Sequence, residues 1–434
     1  MSDHRLPERP ERILYPQDLP SAGPALDRSG LIPNAIVETD PDPDHTLFNR
    51  DTDRRVPDNT PLAELTTMRV GGAAERIAVA RSSHELVRLA SELWESDEPW
   101  LLIGGGSNTV VCDEGYPGTV VLVRYDGVEV IDSPDTPQGY VRLRVQAGHD
   151  WDELVEWTVE HGYAGIEMLS GIPGLVGAAP VQNIGAYGGD LAKVLHSVTV
   201  YDRETGQVGP EAAADLALGY RDSVWKHGRE AVVLSVDLVL RAAGDGLSEP
   251  IVFPQLAKAL DVKLGARVPL KQVRETVLQL RASKGMVLDH NDKDTWSAGS
   301  FFINPVVSAE FARGLPAEAP RFEVSDSQQP GAAVTLIEEL QRGEELRIGG
   351  SDAVNRPMVK LSAAWLIENA GISKGFRLPG SGASISTKHS LAITNRGGAS
   401  ADDVAQLARL VIAMVQTEFG VVLVPEPNLY GLEL

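Results

Sequence analysis

The sequence predicts a protein of mixed helix and strand divided into two or three domains, and three observations lead there. Its 434 residues are more than one compact core organises. From about residue 59 to 243, short strand-like runs interleave with amphipathic helical stretches, the pattern of a mixed α/β domain. Past Ala242-Ala-Gly-Asp-Gly-Leu-Ser, which has a linker's composition, helical patterns recur to the end of the chain.

Taken in order, residues 1 to about 58 hold prolines from Pro7 to Pro57, many charges and no sustained apolar period. Such a stretch buries too little apolar surface to offset its ordering entropy, so a disordered or loosely docked extension is expected. Arg76 to Ala80 reads as a strand. Ser82 and Glu85 have capping-box spacing before a helix with Leu86, Leu89, Ala90 and Leu93 on one face. Further strands are expected at 99–103, 120–124, 141–146, 197–201 and 232–240. A helix capped by Asp150 lies among them, with Leu154, Trp157 and His161 on one side. In the second half, helices are expected at 270–284, 361–369 and 402–419. The last has Ser400 as N-cap, Asp402 and Asp403 at its positive start and Gly420 at its end. Residues 322–355, rich in Gly, Ser, Gln and acids, read as an insertion.

Lys and Arg number 39 and Asp and Glu 61, a net charge of −22. A chain this acidic lacks the electrostatic attraction on which non-specific nucleic-acid binding rests. Its longest apolar runs fall far short of a membrane span, and the N-terminus shows no apolar core of a secretory signal. A single cysteine, Cys112, excludes an intramolecular disulfide and a cysteine-rich metal site. A cytoplasmic protein without nucleic-acid or membrane partners is expected.

Three glycine-rich segments stand out. Gly104-Gly-Gly-Ser-Asn108 follows a predicted strand, and successive glycines let backbone amides approach an anion. It is neither a P-loop nor a dinucleotide fingerprint. Leu169 to Gly188 is low in charge and broken repeatedly by Gly and Pro. It reads as a groove for a large, partly apolar ligand carrying a diphosphate, or as a buried backbone crossing. Lys374 to Gly382, with Lys388-His389, reads as a mobile surface loop, and His389 has no partner at metal-ligand spacing. Among reactive groups, Gly219-Tyr-Arg-Asp-Ser223 sets a guanidinium beside a phenol. Arg281 and Lys284 place two cations on adjacent turns of one helix face. Ser300 stands between Gly299 and two phenylalanines, with no Gly-x-Ser-x-Gly to make it a hydrolase nucleophile. Glu426 is fixed between two prolines.

In order, these segments resemble the UDP-N-acetylenolpyruvoylglucosamine reductase family. The similarity runs from about Asn59 to the C-terminus. It includes Asn59-Thr60 with Thr66-Thr67 and Val70-Gly-Gly72, Gly104 to Asn108, Ile172 to Gly188, Gly219 to Ser223, Ala298-Gly-Ser-Phe-Phe-x-Asn-Pro305, Lys360 to Ile367 and Pro425-Glu426. The resemblance implies an α+β fold: a two-subdomain FAD-binding region of the vanillyl-alcohol-oxidase type (59–243) and an α+β substrate domain (250–420). A C-terminal segment (421–434) would return to the active site. It implies an NADPH-dependent reductase with non-covalent FAD that converts the enolpyruvyl ether of UDP-N-acetylglucosamine to UDP-N-acetylmuramate, a peptidoglycan precursor. A monomer is expected.

Carried over by position, Arg221, Ser300 and Glu426 would be catalytic. Ser300 would deliver a proton to the α-carbon, while Arg221 and Glu426 would stabilise the charge that develops beside it. Tyr220, Lys284 and Asn304 would hold substrate. Gly104, Gly105, Gly106, Ser107, Asn108, Ile172, Pro173, Gly174 and Gly177 would hold the FAD diphosphate and adenylate, with Gly185 and Ala186 further along the groove. No metal is implied. The chain departs from the pattern at Phe253, where one branch of the family has a tyrosine on a closing loop, and at Asn428, where a basic residue often stands. Two other readings differ in class: a flavin-dependent oxidase using O₂, and a non-catalytic binder of flavin or UDP-sugar. The glycine segments offer no His or Cys for covalent flavin, and a binder has no use for Ser300 as a proton donor.

Overall fold

The computed structural model describes residues 56–323 and 357–434. Most of the N-terminal extension and of the 322–355 insertion therefore lies outside the described residues.

The first layer is a parallel sheet in the order β1 (Ala74–Ala80), β4 (Tyr116–Val123), β2 (Trp100–Ile103). Helix α1 (Ser83–Ser96) crosses from β1 to β2, burying Leu86, Val87, Ala90 and Leu93. Ser82 Oγ accepts the Glu85 N–H at 3.1 Å, as its spacing predicts. The capping box is only half formed, because the Glu85 carboxylate takes the Arg81 N–H instead of that of Ser82. Strand β3 (Thr109–Val111) leaves this layer and pairs, in parallel, with β18 (Asn428–Tyr430) at the far end of the chain.

An antiparallel sheet follows, made of β5 (Val128–Ile131), β6 (Tyr140–Gln146), β10 (Leu195–Asp202), β11 (Gln207–Ala212) and β12 (Ala231–Ala242). Their order is β11-β10-β12-β6-β5, with β7 (Tyr163–Ala164) added on β12. Residue 237 shows how a charge enters a sheet: buried Asp237 on β12 pairs with Arg142 and Arg144 of β6 at 2.7 and 2.9 Å. Helix α2 (Trp151–Glu160) packs on this sheet, and Asp150 caps it by accepting from Asp152 N and Glu153 N. His161 remains exposed and stacks on Trp157 at 4.0 Å. Between α2 and β10 run α3 (Ala179–Gln182), β8 (Gly185–Ala186) and β9 (Gly189–Asp190), so the glycine-rich stretch is ordered backbone rather than one open loop.

Helices α4 (Pro254–Leu260) and α5 (Leu270–Ala282) form a small apolar cluster around Ile251, Val273 and Val277. Sequence periodicity missed α4, which is only seven residues long. Its predicted neighbour α5 stops at Ala282, so Lys284 lies past the helix end and shares no helix face with Arg281.

The remaining core gathers around α8 (Ala401–Phe419), which buries Val404, Leu407, Val411 and Val415. Its start is the complete capping box of Ser400 with Asp403, and Gly420 closes it at φ 68°. Against it pack α7 (Ala363–Asn369), the hairpin β16 (Ala383–Ile385) with β17 (Ile393–Asn395), and the sheet of β13 (Val306–Ser308), β15 (Met358–Leu361) and β14 (Arg321–Glu323), with α6 (Ala309–Arg313) after β13. Leu361 ends a strand instead of opening the helix the sequence suggested. The third glycine-rich segment, Lys374 to Gly380, is largely exposed, as its sequence suggested, but it leads into a hairpin that buries Ser384, Ser386, Ser390 and Thr394, where Lys388 and His389 are half-buried and Lys388 pairs with Asp292.

Candidate active site

A cleft of about 690 Å³ runs between the two sheets and the C-terminal core. That volume lies in the usual range for cofactor-sized ligands. Its floor is the turn after β2. Among the described residues the N–H groups of Gly104 to Asn108 donate to no other backbone group, while the Gly106 and Asn108 carbonyls accept from Thr67 N and Asn428 N. Unpartnered amides on a tight turn form an anion cradle.

Glycine is required at its centre. Gly106 has φ 61°, and a Cβ there would fall 2.1 Å from the Leu65 carbonyl oxygen. A Cβ on Gly105 would fall 2.6 Å from the Gly174 Cα. The second glycine segment therefore lies directly on the first, held also by Ser107 Oγ donating to Pro173 O at 3.0 Å. Not every amide in that segment is free. Val176 N and Gly177 N donate to His149 O and Ala147 O at 2.8 Å, so Gly177 serves close packing rather than phosphate contact.

At the other end, Arg221 sits at φ 57° in a turn closed by Gly219 N to Asp222 O. Its guanidinium donates to Asn183 O (3.2 Å) and Gly185 O (2.7 Å), and its Nε lies 2.9 Å from Glu426 Oε1. Burial works against its charge, but Glu426, Tyr220 and Asp190 outweigh that and hold its pKa above the ordinary value. Glu426 arrives from the C-terminus along a backbone track. Ile303 N donates to Val424 O, Glu426 N to Phe301 O, and Asn108 Nδ2 to Glu426 O. Phe301 and Phe302 are buried anchors that hold Ser300 at the cleft wall.

The structure brings Gly104, Gly105, Gly106, Ser107, Asn108, Ile172, Pro173, Gly174, Gly177, Gly185, Arg221, Ser300 and Glu426 to one cleft. Tyr220 stands behind it. Its hydroxyl is 3.4 Å from Asn304 Nδ2, its ring lies under Lys360 Nζ at 4.5 Å, and burial raises its pKa. Asn304 Oδ1 in turn accepts Ala363 N at the start of α7. Ala186 continues β8 from Gly185 without lining the cleft. Lys284 lies apart: its Nζ donates to Gln255 Oε1 at 3.0 Å and faces the Tyr187 ring at 5.6 Å. Phe253 packs edge-on against that same Tyr187 at 5.6 Å. His389, read from sequence as part of a surface loop, is pushed down to about pKa 4 by burial and by Lys284 and Lys374. Arg281 and Met286 also line the cleft, and motif reasoning assigned them no role there.

Comparison with known proteins agrees with this geometry. Residues 74–209 match the FAD binding domain, and residues 290–430 match the UDP-N-acetylenolpyruvoylglucosamine reductase C-terminal domain. The UDP-N-acetylenolpyruvoylglucosamine reductase of Leifsonia xyli subsp. xyli is 52% identical over 86% of this chain and 98% of its own. That of Thermobifida fusca is 45% identical over 87% and 98%. The crystal structure of the Thermus caldophilus reductase superimposes with a TM-score of 0.51 at 25% identity, covering 86% of this chain and 97% of that one. The cradle, the cleft and these similarities lead to one conclusion: the chain belongs to the UDP-N-acetylenolpyruvoylglucosamine reductase family.

Proposed function

We propose that this protein reduces the enolpyruvyl ether of UDP-N-acetylglucosamine to UDP-N-acetylmuramate, using NADPH and non-covalently bound FAD, as a step in peptidoglycan precursor synthesis. The observation that carries this reading is the convergence of Arg221, Ser300 and Glu426, from three distant parts of the chain, on the cleft whose floor is the Gly104–Asn108 cradle.

The cleft fits FAD on its own evidence. A row of uncommitted amides suits a diphosphate, and a Cβ at Gly105 or Gly106 would close the cradle. Gly104 to Asn108, with Ile172 to Gly174, would hold that diphosphate, and Gly185 would lie further along the groove. When bound, FAD supplies a two-electron acceptor and donor within the cleft.

The protein's part concerns the substrate. Reduction at the terminal vinyl carbon leaves negative charge on the α-carbon and the carboxylate. Arg221 is oriented to meet it, because two backbone carbonyls and Glu426 fix its fork before any ligand arrives. Ser300 faces the same space and delivers the proton to the α-carbon, and Glu426 assists as a hydrogen-bonding group. A serine is a weak acid, so this transfer works only toward a strongly basic carbanion. Tyr220 and Asn304 shape the wall behind Arg221, while Lys284 offers a cation to the UDP diphosphate. Substrate binding falls to residues 250–420 and FAD binding to 59–243, with 421–434 carrying Glu426 back to the cleft. Among the described residues, no helix is long and apolar enough to cross a membrane. A cytoplasmic monomer is the working form we infer.

Anaerobic half-reactions test the proposal. NADPH should bleach the yellow protein, the enolpyruvyl UDP-sugar should restore its colour, and acid should release the flavin into solution. Failure of the UDP-sugar to reoxidise the reduced protein would overturn the assignment. Flavin staying with the acid-precipitated protein would point to a covalent oxidase.

A further inference from the structure

Asp152 is the second residue of α2, yet α2 does not need its carboxylate, because Asp150 already caps that helix. The carboxylate is committed elsewhere. Its Oδ1 accepts the Gly171 N–H at 2.5 Å, and Arg274 of α5 grips it with both arms of the fork, Nη1 to Oδ1 at 2.6 Å and Nη2 to Oδ2 at 3.0 Å. Arg274 is 8% exposed, and Glu156, one turn along α2, stands 3.7 Å from its Nη2. One side chain of residues 59–243 thus meets both the entry to the Ile172 loop and a helix of residues 250–420.

The loop it holds is the one that lies on the cradle. Gly171, at φ 73°, runs so close to α5 that a Cβ would fall 2.8 Å from Leu278 Cδ2. Three residues on, Gly174 packs on Gly105, its carbonyl accepts Trp151 N at 3.0 Å, and Pro173 O accepts Ser107 Oγ. Gly171 to Gly174 are therefore pinned at one end to α5, through Asp152, and at the other to the cradle. A second carboxylate repeats the tie upstream. Buried Glu167 accepts Gly165 N at 2.6 Å and Glu249 N at 2.7 Å, where residues 250–420 begin.

Stability alone does not account for this arrangement. Apolar packing already joins the two regions, with Leu270 of α5 against Ala164 and Val159, and Met168 in the cluster of Val273 and Val277. Apolar contact is non-directional, and a buried ion pair is often no more stabilising than apolar residues of its size. What the bidentate fork adds is geometry: it fixes where α5 lies along α2 and where Gly171 lies on α5. We propose that Asp152 is a positioning residue that couples the two binding sites, so that seating α5 and ordering the Gly171–Gly174 loop are one event. FAD on the loop then favours the α5 position that receives the UDP-sugar. The UDP-sugar tightens FAD by the same factor, because coupling between two bound ligands is reciprocal.

This inference rests on the FAD reading, and the experiment separates the two. FAD affinity of the oxidised holoenzyme is measured by dilution and flavin fluorescence, without NADPH, in the absence and presence of saturating enolpyruvyl UDP-sugar. Asp152→Ala removes both bonds, and Arg274→Met removes the fork alone. In the parent the UDP-sugar should tighten FAD about fivefold or more, and in each variant that factor should be at least about threefold smaller. Any gain from the sugar touching the flavin directly survives in both. The double variant should lose no more than Asp152→Ala, and additive losses overturn the proposal. A pair that only stabilises the fold would lower the melting temperature and weaken FAD alike with and without the sugar. The factor would then stay at the parent's value, and that result overturns the proposal too. So does a parent in which the sugar leaves FAD affinity unchanged. If Arg274→Met fails to fold, Asp152→Asn takes its place, keeping an acceptor for Gly171 N while losing the ion pair, with the same loss expected. A parent protein that binds no flavin would instead overturn the FAD reading itself.

Discussion

Arg221 Nε and Glu426 Oε1 are 2.9 Å apart, although one sits in a turn between sheet strands and the other just before β18, the last strand of the chain. Each is held independently of the other: Arg221 by the Asn183 and Gly185 carbonyls, Glu426 by backbone bonds to Phe301 and Asn108. The pair is therefore a consequence of two rigid anchors, and it keeps the guanidinium aimed into the cleft before substrate binds.

Replacing Arg221 by Lys should retain the charge but lose the fork, since one ammonium cannot meet two carbonyls and a carboxylate in a fixed plane. We expect kcat for reduction of the UDP-sugar to fall about 10²–10³-fold. Flavin reduction by NADPH should fall much less. Single-turnover kinetics of the two half-reactions provide the check, and equal losses in both would count against the assignment.

Ser300→Ala should leave bleaching by NADPH nearly intact and slow reoxidation by substrate about 10²–10⁴-fold, the size expected for loss of a positioned proton donor. Incorporation of solvent deuterium at the α-carbon of the product should slow in parallel. If both half-reactions weaken together, Ser300 is not that donor.

Gly105→Ala probes the cradle. Its Cβ would press on the Gly174 backbone at 2.6 Å, so the two glycine segments must part. A loss of about 1–3 kcal/mol in stability is expected, with FAD lost on gel filtration where the parent retains it. Full FAD retention would mean that the turn does not grip the cofactor.

The pH dependence of stability should carry a contribution from His389. Its folded pKa, about 4, lies below the ordinary 6.5, so the native state holds it neutral and the unfolded chain binds more protons between those values. Stability from this group is fully present above about pH 6.5 and is lost as pH falls toward 4. Between pH 7 and 5 the loss should approach about 2 kcal/mol. Urea melts of the parent and His389→Gln at both pH values test this, and identical pH dependence in the two would refute it.

Ser400→Ala offers a control away from the cleft. It removes the hydroxyl that accepts Asp403 N at the start of α8, at a cost of about 1 kcal/mol. Both half-reactions should be unchanged while the melting temperature drops.

Where a local rule decides the outcome, the sequence was legible. The start and stop of α8 followed from Ser400, the paired aspartates and Gly420, and α2 was capped by Asp150 as its position required. Reading failed where a segment was too short for a period to register, as in α4 and β3, or where one hydrogen bond competed with another, as when Glu85 chose Arg81 N. It failed too at His389. A run of Ser, Thr, Lys and His looks like surface, and Thr387 is exposed, yet side-chain hydrogen bonds within the hairpin and the Lys388–Asp292 pair bury Ser386 and Ser390 and half-bury Lys388 and His389.

By itself, then, the sequence determined which groups are available: the glycine turns, one arginine beside a tyrosine, one serine before two phenylalanines, one glutamate between prolines. Those choices are readable because backbone freedom, capping and side-chain chemistry act over a few residues. Only the tertiary structure decided that these groups meet, because the parallel pairing of β3 with β18 and the track from Phe301 to Glu426 join segments more than a hundred residues apart. The same long-range packing left Arg281 in the cleft without a carboxylate partner among the described residues. Local patterning cannot specify such a deficit, since it depends on which distant partner has already claimed Asp152.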